Sequence, residues 1–294
     1  MDALHVITVV THDELYLKYL KESCIKHGLP LEILGWNKKW EGFNWKIFQV
    51  LNYLKNINPN DIVCYVDGYD VICTRKLEEL KTQFIEFKKN NPQVKIIVGG
   101  NRLTRNILNI SYYELYFESI DNCEINSGTY IGYATELYEV LTQIYTQDPV
   151  YDADDQVLFI NYYKKLTSEK DMYIDVNSNF FCLITKPLQN IDKYITINTN
   201  KNDTYDIIYN NSKPFFIHGN ANTFLDNVIK KLGYSYNIPI YKKHYTKIIN
   251  KTMYFVKKII NSKTDSLINS KKFLILYCII LLLLYYKFNE MKKK

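Results

Sequence analysis

The chain has 294 residues, 47% of them hydrophobic and 23% charged, which fits one large or two small globular domains and excludes a chain without a core. Its net charge of +6 is gathered late, in lysines such as Lys242, Lys243, Lys257, Lys258, Lys271, Lys272 and Lys292 to Lys294, where a membrane surface is as good a partner as nucleic acid. Six cysteines stand singly (Cys24, Cys64, Cys73, Cys123, Cys182 and Cys278) without a C-x-x-C pair, so neither a zinc site nor a thioredoxin-like motif is supported, and buried free thiols are expected.

The start, Met1 to His5, lacks the basic and apolar regions of a signal peptide. Leu4–Val10 reads as a first buried strand. Thr11 and Glu14 have the spacing of a capping box, predicting a helix over Leu15–His27 that Gly28 and Pro30 stop. Leu31–Leu34 is a second short strand. The loop after it carries Trp36 and Trp40, which either cover the core edge or form a stacking platform for a base or sugar. Trp45–Asn56 has helical apolar spacing at Ile47, Val50, Leu51 and Leu54. Lys46 near its start opposes the helix dipole, so it is either a solvated lysine or one with a task such as phosphate contact.

The chain then reaches its organising stretch, Val63–Val71, with the sequence VCYVDGYDV. An apolar strand here ends in Asp67 and Asp70, placing two carboxylates at the carboxyl edge of a sheet, where ligands of open α/β folds sit. They read either as an ordinary polar turn or as ligands for Mg²⁺ or Mn²⁺, hard cations that prefer oxygen and bridge to diphosphates.

A helix over about Lys76–Lys89 and a buried strand at Val94–Gly99 follow. Asn101–Glu124 has no clean period. Ile125–Ala134 is an aromatic strand interrupted by small residues, as close backbone approach or a bend requires. After a helix at Thr135–Tyr145 comes an acidic cluster, Asp148, Asp152, Asp154 and Asp155, entering a helix over Gln156–Lys165. Those carboxylates either cap and complement the helix or work on substrate or metal. Met172–Val176 and Phe180–Thr185 read as strands, and Ile195–Ile197 as a short strand in a polar loop. Pro214–Asn220 is a strand ending in His218, a histidine that is structural or, like Asp67 and Asp70 at their strand end, a metal ligand. Residues 241–270 are a basic amphipathic linker. Phe273–Tyr286 is continuously apolar between lysines, so residues 271–288 are expected to form a membrane anchor ahead of a basic tail, 289–294.

These pieces, in this order across about Leu4–Pro239, resemble the glycosyltransferase domain of the procollagen lysyl hydroxylase family. The resemblance is carried by the opening strand through Thr11, by Leu34-Gly35 to Trp40, by Lys46, and by Val66-Asp67-Gly68-Tyr69-Asp70-Val71. It continues with Asn126-Ser127-Gly128, Ile131-Gly132-Tyr133-Ala134, Asp154-Asp155-Gln156, Asp175, His218-Gly219-Asn220 and Leu232-Gly233-Tyr234. It implies an α/β, GT-A-like, Rossmann-type domain over residues 1–240 that binds a UDP-sugar through Mn²⁺ or Mg²⁺. By position, Asp67, Asp70 and His218 would ligate the metal, and Trp40 and Tyr69 would flank the uracil. Lys46 and the Gly219-Asn220 backbone would contact the diphosphate, Thr11 the nucleoside, and Asn126, Asp154 and Asp155 the donor sugar and acceptor. The chain departs from the family pattern at Gly68, usually serine, at Ala221, usually glycine, and at Ala153, which breaks a run of aspartates. Phe43-Asn44-Trp45 replaces a glycine-rich approach to Lys46, and Asn101–Glu124 does not match the acceptor-side loop.

Two functions are therefore expected to compete. One is a metal-dependent transferase moving glucose or galactose to a hydroxyl, such as hydroxylysine, galactosyl-hydroxylysine or another sugar. The other is a non-catalytic nucleotide-sugar-binding or membrane scaffold of the same fold. No Fe(II)/2-oxoglutarate chemistry and no nucleic-acid partner are expected. Membrane attachment by the C-terminal helix is expected, with either side open; the composition and a stand-alone transferase domain suit a large DNA virus.

Overall fold

Leu4–Val9 (β1) is buried over all but one of its residues, the pattern of a strand covered on both faces. In the computed structural model it lies between two parallel neighbours, Glu32–Leu34 (β2) and Ile62–Val66 (β3). The structure describes residues 2–103, 122–166, 171–185, 191, 194–199, 205–209, 211–220 and 223–235. The other strands are Val71–Cys73 (β4), Ile96–Arg102 (β5), Cys123–Tyr133 (β6), Met172–Asp175 (β7), Phe181–Leu183 (β8), Thr196–Thr199 (β9), Tyr205–Ile208 (β10) and Phe216–His218 (β11). The helices are Leu17–Lys26 (α1), Phe43–Leu54 (α2), Leu77–Asn90 (α3), Ala134–Tyr145 (α4), Asp155–Lys165 (α5) and Asp226–Lys231 (α6).

Six strands form one mixed sheet in the order β2-β1-β3-β6-β5-β7, with β6 antiparallel to both its neighbours. Alternation along the strands divides the core into two faces. Ile7, Val9, Val63 and Tyr65 pack with Trp45, Val50, Leu137 and Phe159 from α2, α4 and α5. Val6, Cys64 and Val66 pack on the other side with Leu20, Phe84, Phe181 and Phe216, from α1, α3 and a second sheet of order β4-β11-β8. The described cysteines are all buried free thiols, as expected; Cys278 lies outside the described residues.

The main elements fall where the periodicity puts them, but three readings are corrected and one short helix is added. Thr11 and Glu14 form no capping box: Leu15 takes a positive φ of 50°, so α1 begins only at Leu17, behind Tyr16. Thr11 Oγ1 instead meets His12 Nδ1 at 2.9 Å, and Glu14 meets the other ring nitrogen at 3.2 Å. The central strand ends at Val66, ahead of both carboxylates; the chain turns through 67–70 and starts β4, which the sequence does not separate from it, in the second sheet. The strand near Ile195–Ile197 is paired antiparallel with β10, where the sequence reads as loop. The short helix α6 lacks a full apolar repeat.

Among the described residues no helix is long and apolar enough to cross a membrane. The linker, the apolar run Phe273–Tyr286 and the basic tail lie outside the described residues, as does 104–121, most of the stretch without a clean period.

Candidate active site

The turn 67–70 joins the two sheets, so Asp67 leaves β3 and Asp70 enters β4. His218 ends β11 opposite Val71, and its neighbour Gly219 donates its N–H to the Asp70 carbonyl at 2.8 Å. The end of β3 in one sheet and the β4–β11 register pair in the other thus bring Asp67, Asp70 and His218 together, with one ligand atom of each within 4.8 Å of the others.

A bulge in β6 makes room for them. Val98 pairs with Tyr130 while Gly99 pairs with Asn126, so Ser127, Gly128 and Thr129 are extra on the β6 side. The Gly128 carbonyl oxygen accepts the Asp67 N–H at 2.7 Å. A Cβ on Gly128 would lie 2.3 Å from Asp67 Oδ2 and 2.7 Å from His218 Cε1, so the site needs glycine here. The small residues in this aromatic strand serve the close approach that the sequence suggests.

Lys46 sits one turn into α2, its side chain nearly buried. Its Nζ lies 3.2 Å from Asp67 Oδ1 and 2.9 Å from Asp155 Oδ2. Asp67 Oδ1 also accepts from the Tyr65 hydroxyl at 2.9 Å, and Tyr65 stacks on Tyr130 at 4.7 Å. One oxygen of Asp67 is therefore held by the protein, and Oδ2 is turned towards His218, 4.0 Å from its Nε2. Burial alone pushes the Asp67 carboxyl up, but Lys46, His218 and the Tyr65 hydrogen bond outweigh it and hold it below the usual carboxylate value. Burial, with Asp67 beside it, keeps Asp155 above that value despite Lys46. For Lys46 burial works downwards, and the two carboxylates reverse it to a raised value. The dipole conflict at Lys46 is answered by these two acids.

The three residues Asp154-Asp155-Gln156 divide their labour. Asp154, exposed, is the N-cap of α5, its carboxylate accepting the N–H groups of Gln156 and Val157. It lines a groove of about 560 Å³ with Asp148, Asn161 and Lys165. Asp155 is buried against Lys46. Gln156 accepts from the Ser127 N–H at 3.1 Å and donates to the Ile125 carbonyl, fastening α5 to the bulge. Phe43-Asn44-Trp45 clasps the broken aspartate run: the Asn44 and Trp45 N–H groups donate to the carbonyls of Ala153 and Tyr151, and Asn44 Nδ2 donates to that of Asp148. Gly42 has no room for a Cβ against Tyr151 and Asp152, and its φ of +128° suits only glycine.

The remaining residues named from sequence lie around this centre. Trp40 is 40% exposed, with its ring edge-on to Phe43 and Trp45. Tyr69 donates its hydroxyl to the His12 carbonyl at 3.1 Å, and its ring tilts against His12 at 5.9 Å. No ring contact joins Trp40 to Tyr69. Thr11 is buried, its carbonyl accepting the Asn37 N–H. The Asn220 carbonyl accepts the Thr223 N–H and hydroxyl. Asp175 is not at this centre in a chemical sense: its buried carboxylate accepts the N–H groups of Asn179, Phe180 and Phe181 and shapes the turn before β8. Phe43 and Tyr65 were missed as site residues. Phe43 departs from the family pattern, which was the available signal; Tyr65 reads as plain strand.

The donor set suits a divalent cation. Two carboxylate oxygens and an imidazole nitrogen match Mn²⁺ or Mg²⁺, with nitrogen favouring Mn²⁺. His218 Nε2 is buried, lies 3.1 Å from Asp70 Oδ1, and has no aligned hydrogen-bond partner. Burial works to lower the His218 value, while Asp70 and Asp67 raise it above the ordinary one. The acids Asp67, Asp70 and Asp155 outnumber Lys46, so the pocket draws positive charge.

The sequence model described as PLOD GT domain matches residues 1–237. Procollagen-lysine,2-oxoglutarate 5-dioxygenase of Drosophila melanogaster is 24% identical over 239 residues, 76% of this chain and 31% of that protein. The multifunctional procollagen lysine hydroxylase and glycosyltransferase of Caenorhabditis elegans is 24% identical over 230 residues, 74% of this chain and 30% of that protein. The chain thus spans about a third of the length of these relatives. A solved glycosyltransferase involved in glycosylation of the major capsid of PBCV-1 aligns with a TM-score of 0.44 and 11% identity, over 79% of this chain and 99% of that one.

Proposed function

Because the chain belongs to the PLOD GT domain family, a family of glycosyltransferase domains, we propose that it transfers glucose or galactose from a UDP-sugar to a hydroxyl acceptor in a metal-dependent reaction. The GT-A-like reading of its mixed α/β fold follows from the same membership. The observation that carries the metal-dependent part is the convergence of Asp67, Asp70 and His218 at a strand-end turn beside buried Lys46.

In this reading Asp67, Asp70 and His218 hold Mn²⁺ or Mg²⁺, which when bound offsets charge on the departing diphosphate. Lys46, its ammonium held in place by Asp67 and Asp155, would contact the same diphosphate. Trp40, which is exposed, and Tyr69, which is half-buried, would supply aromatic surface for the base. Asn126 and Asp155 face the donor-sugar side. Asp154, as a helix cap at the groove, serves the acceptor side. The acceptor is a hydroxyl of hydroxylysine or of a sugar already attached to it. The C-terminal apolar run attaches the enzyme to a membrane in this proposal, tested by its release from membranes on deleting 271–294.

Titration of UDP into the full chain, with and without Mn²⁺, tests the site. Metal-dependent binding that disappears in Asp67→Asn, Asp70→Asn supports the reading. UDP binding indifferent to metal and to both substitutions contradicts it.

A further inference from the structure

We propose that Asn126 is a positioning residue that selects the metal-binding tautomer of His218; the inference rests on the metal-dependent reading above. Asn126 is 4% exposed and stands where the β6 bulge begins. One atom of its side-chain amide, Oδ1, lies 3.1 Å from the Gly128 N–H nitrogen and 3.1 Å from His218 Nδ1.

The Gly128 backbone fixes what that atom is. A backbone N–H only donates, so the amide group facing it is the oxygen and not the NH₂. The same oxygen then faces His218 Nδ1, which must carry a hydrogen to bond with it. A neutral imidazole has one N–H, so with Nδ1 protonated the lone pair belongs to Nε2. Nε2 is the buried nitrogen 3.1 Å from Asp70 Oδ1 and 4.0 Å from Asp67 Oδ2, with no aligned hydrogen bond. Three electron-pair donors converge there, and a cation is what they hold in common.

The chain of cause runs from a bulge to a ligand. The extra residues in β6 turn the Gly128 N–H back onto Asn126, Asn126 orients the ring, and the ring presents Nε2. Without Asn126 the ring is free to place its hydrogen on Nε2 and donate to Asp70, which closes the site to metal. An amide achieves this selection without adding a further carboxylate to an acidic pocket. Hydrogen bonds behind a ligating histidine typically change metal affinity about 10- to 100-fold.

Two measurements on the full chain test it. In the ¹⁵N-labelled, metal-free protein, long-range proton–nitrogen correlations of the His218 ring should show the Nδ1–H tautomer when the ring is neutral. Calorimetry should show Mn²⁺ affinity about 10- to 100-fold weaker in Asn126→Leu, which removes the acceptor, and largely kept in Asn126→Asp, which retains it. A wild-type ring in the Nε2–H form, or unchanged Mn²⁺ affinity in Asn126→Leu, overturns the proposal. The wild-type spectrum decides this even where Asn126→Leu does not fold. A wild type that binds no Mn²⁺ but shows the Nδ1–H ring overturns the metal-dependent reading and leaves the tautomer selection standing.

Discussion

Lys46 Nζ lies 2.9 Å from Asp155 Oδ2 with both side chains nearly buried, so a single ammonium ties the start of α5 to the strand end that carries Asp67. Removing one partner of a buried pair strands the other charge in a medium of low polarity. Lys46→Met should therefore destabilise the protein by about 3–5 kcal/mol in urea unfolding. Adding Asp155→Asn should recover part of that loss. A single variant as stable as the wild type would show that water reaches these acids freely.

Gly68, in the turn between Asp67 and Asp70, is packed too closely to take a side chain without a shift. A Cβ there would lie 2.2 Å from Val10 Cγ1 and 2.9 Å from Thr8 Oγ1. Gly68→Ser should cost about 1–3 kcal/mol through overpacking. Val10→Ala in the same chain should relieve most of it, giving a coupling of at least about 0.5 kcal/mol in a double-mutant cycle. Additive effects would place the strain elsewhere.

His27, at the end of α1, is held down to about 4 from 6.5 by burial, with Lys26 adding to the effect. Below pH 6.5 the unfolded chain takes up a proton that the folded chain refuses until about pH 4. This group's contribution to stability is thus intact above 6.5 and lost as pH falls through the window to about 4. Urea midpoints should decline across that window in the wild type and decline less in His27→Gln. Parallel pH profiles would contradict the assignment.

Gly128 offers the sharpest steric test of the metal cluster. Gly128→Ala brings a Cβ to 2.3 Å from Asp67 Oδ2, so Asp67 must leave its place beside His218. Mn²⁺ affinity should fall at least about tenfold, the scale of losing one well-placed ligand's support. Unchanged affinity would mean that Asp67 is not a ligand.

The sequence shows this site unevenly, and the reasons are physical. Asp67, Asp70 and His218 are legible because each ends or borders an apolar strand, and strand ends in an α/β sheet converge on one edge. Lys46 is legible through its conflict with the helix dipole, though not its partners, which lie 21 and 109 positions away. Asp154 and Asp155 look alike in sequence because both sit at a helix start; only the packing of α5 on β6 sends one to cap the helix and the other inwards. The capping box failed because Leu15 adopts a left-handed backbone, which no propensity of leucine foretells. The strand β4 was hidden because it is only three residues long and nothing local in the sequence marks the turn at 67–70 as a change of sheet. Asn126 was legible as a site residue through the family resemblance, but its hold on His218 depends on a bulge whose register is set by β5.

The central claim is that this cluster serves metal-dependent transfer from a UDP-sugar. UDP release by the full chain from UDP-glucose and from UDP-galactose, each with and without Mn²⁺, tests it directly, with Asp67→Ala, Asp70→Ala as the control. The account predicts turnover of one donor that needs Mn²⁺ and is abolished in the double variant. Turnover that is independent of Mn²⁺ and survives in the double variant would contradict it.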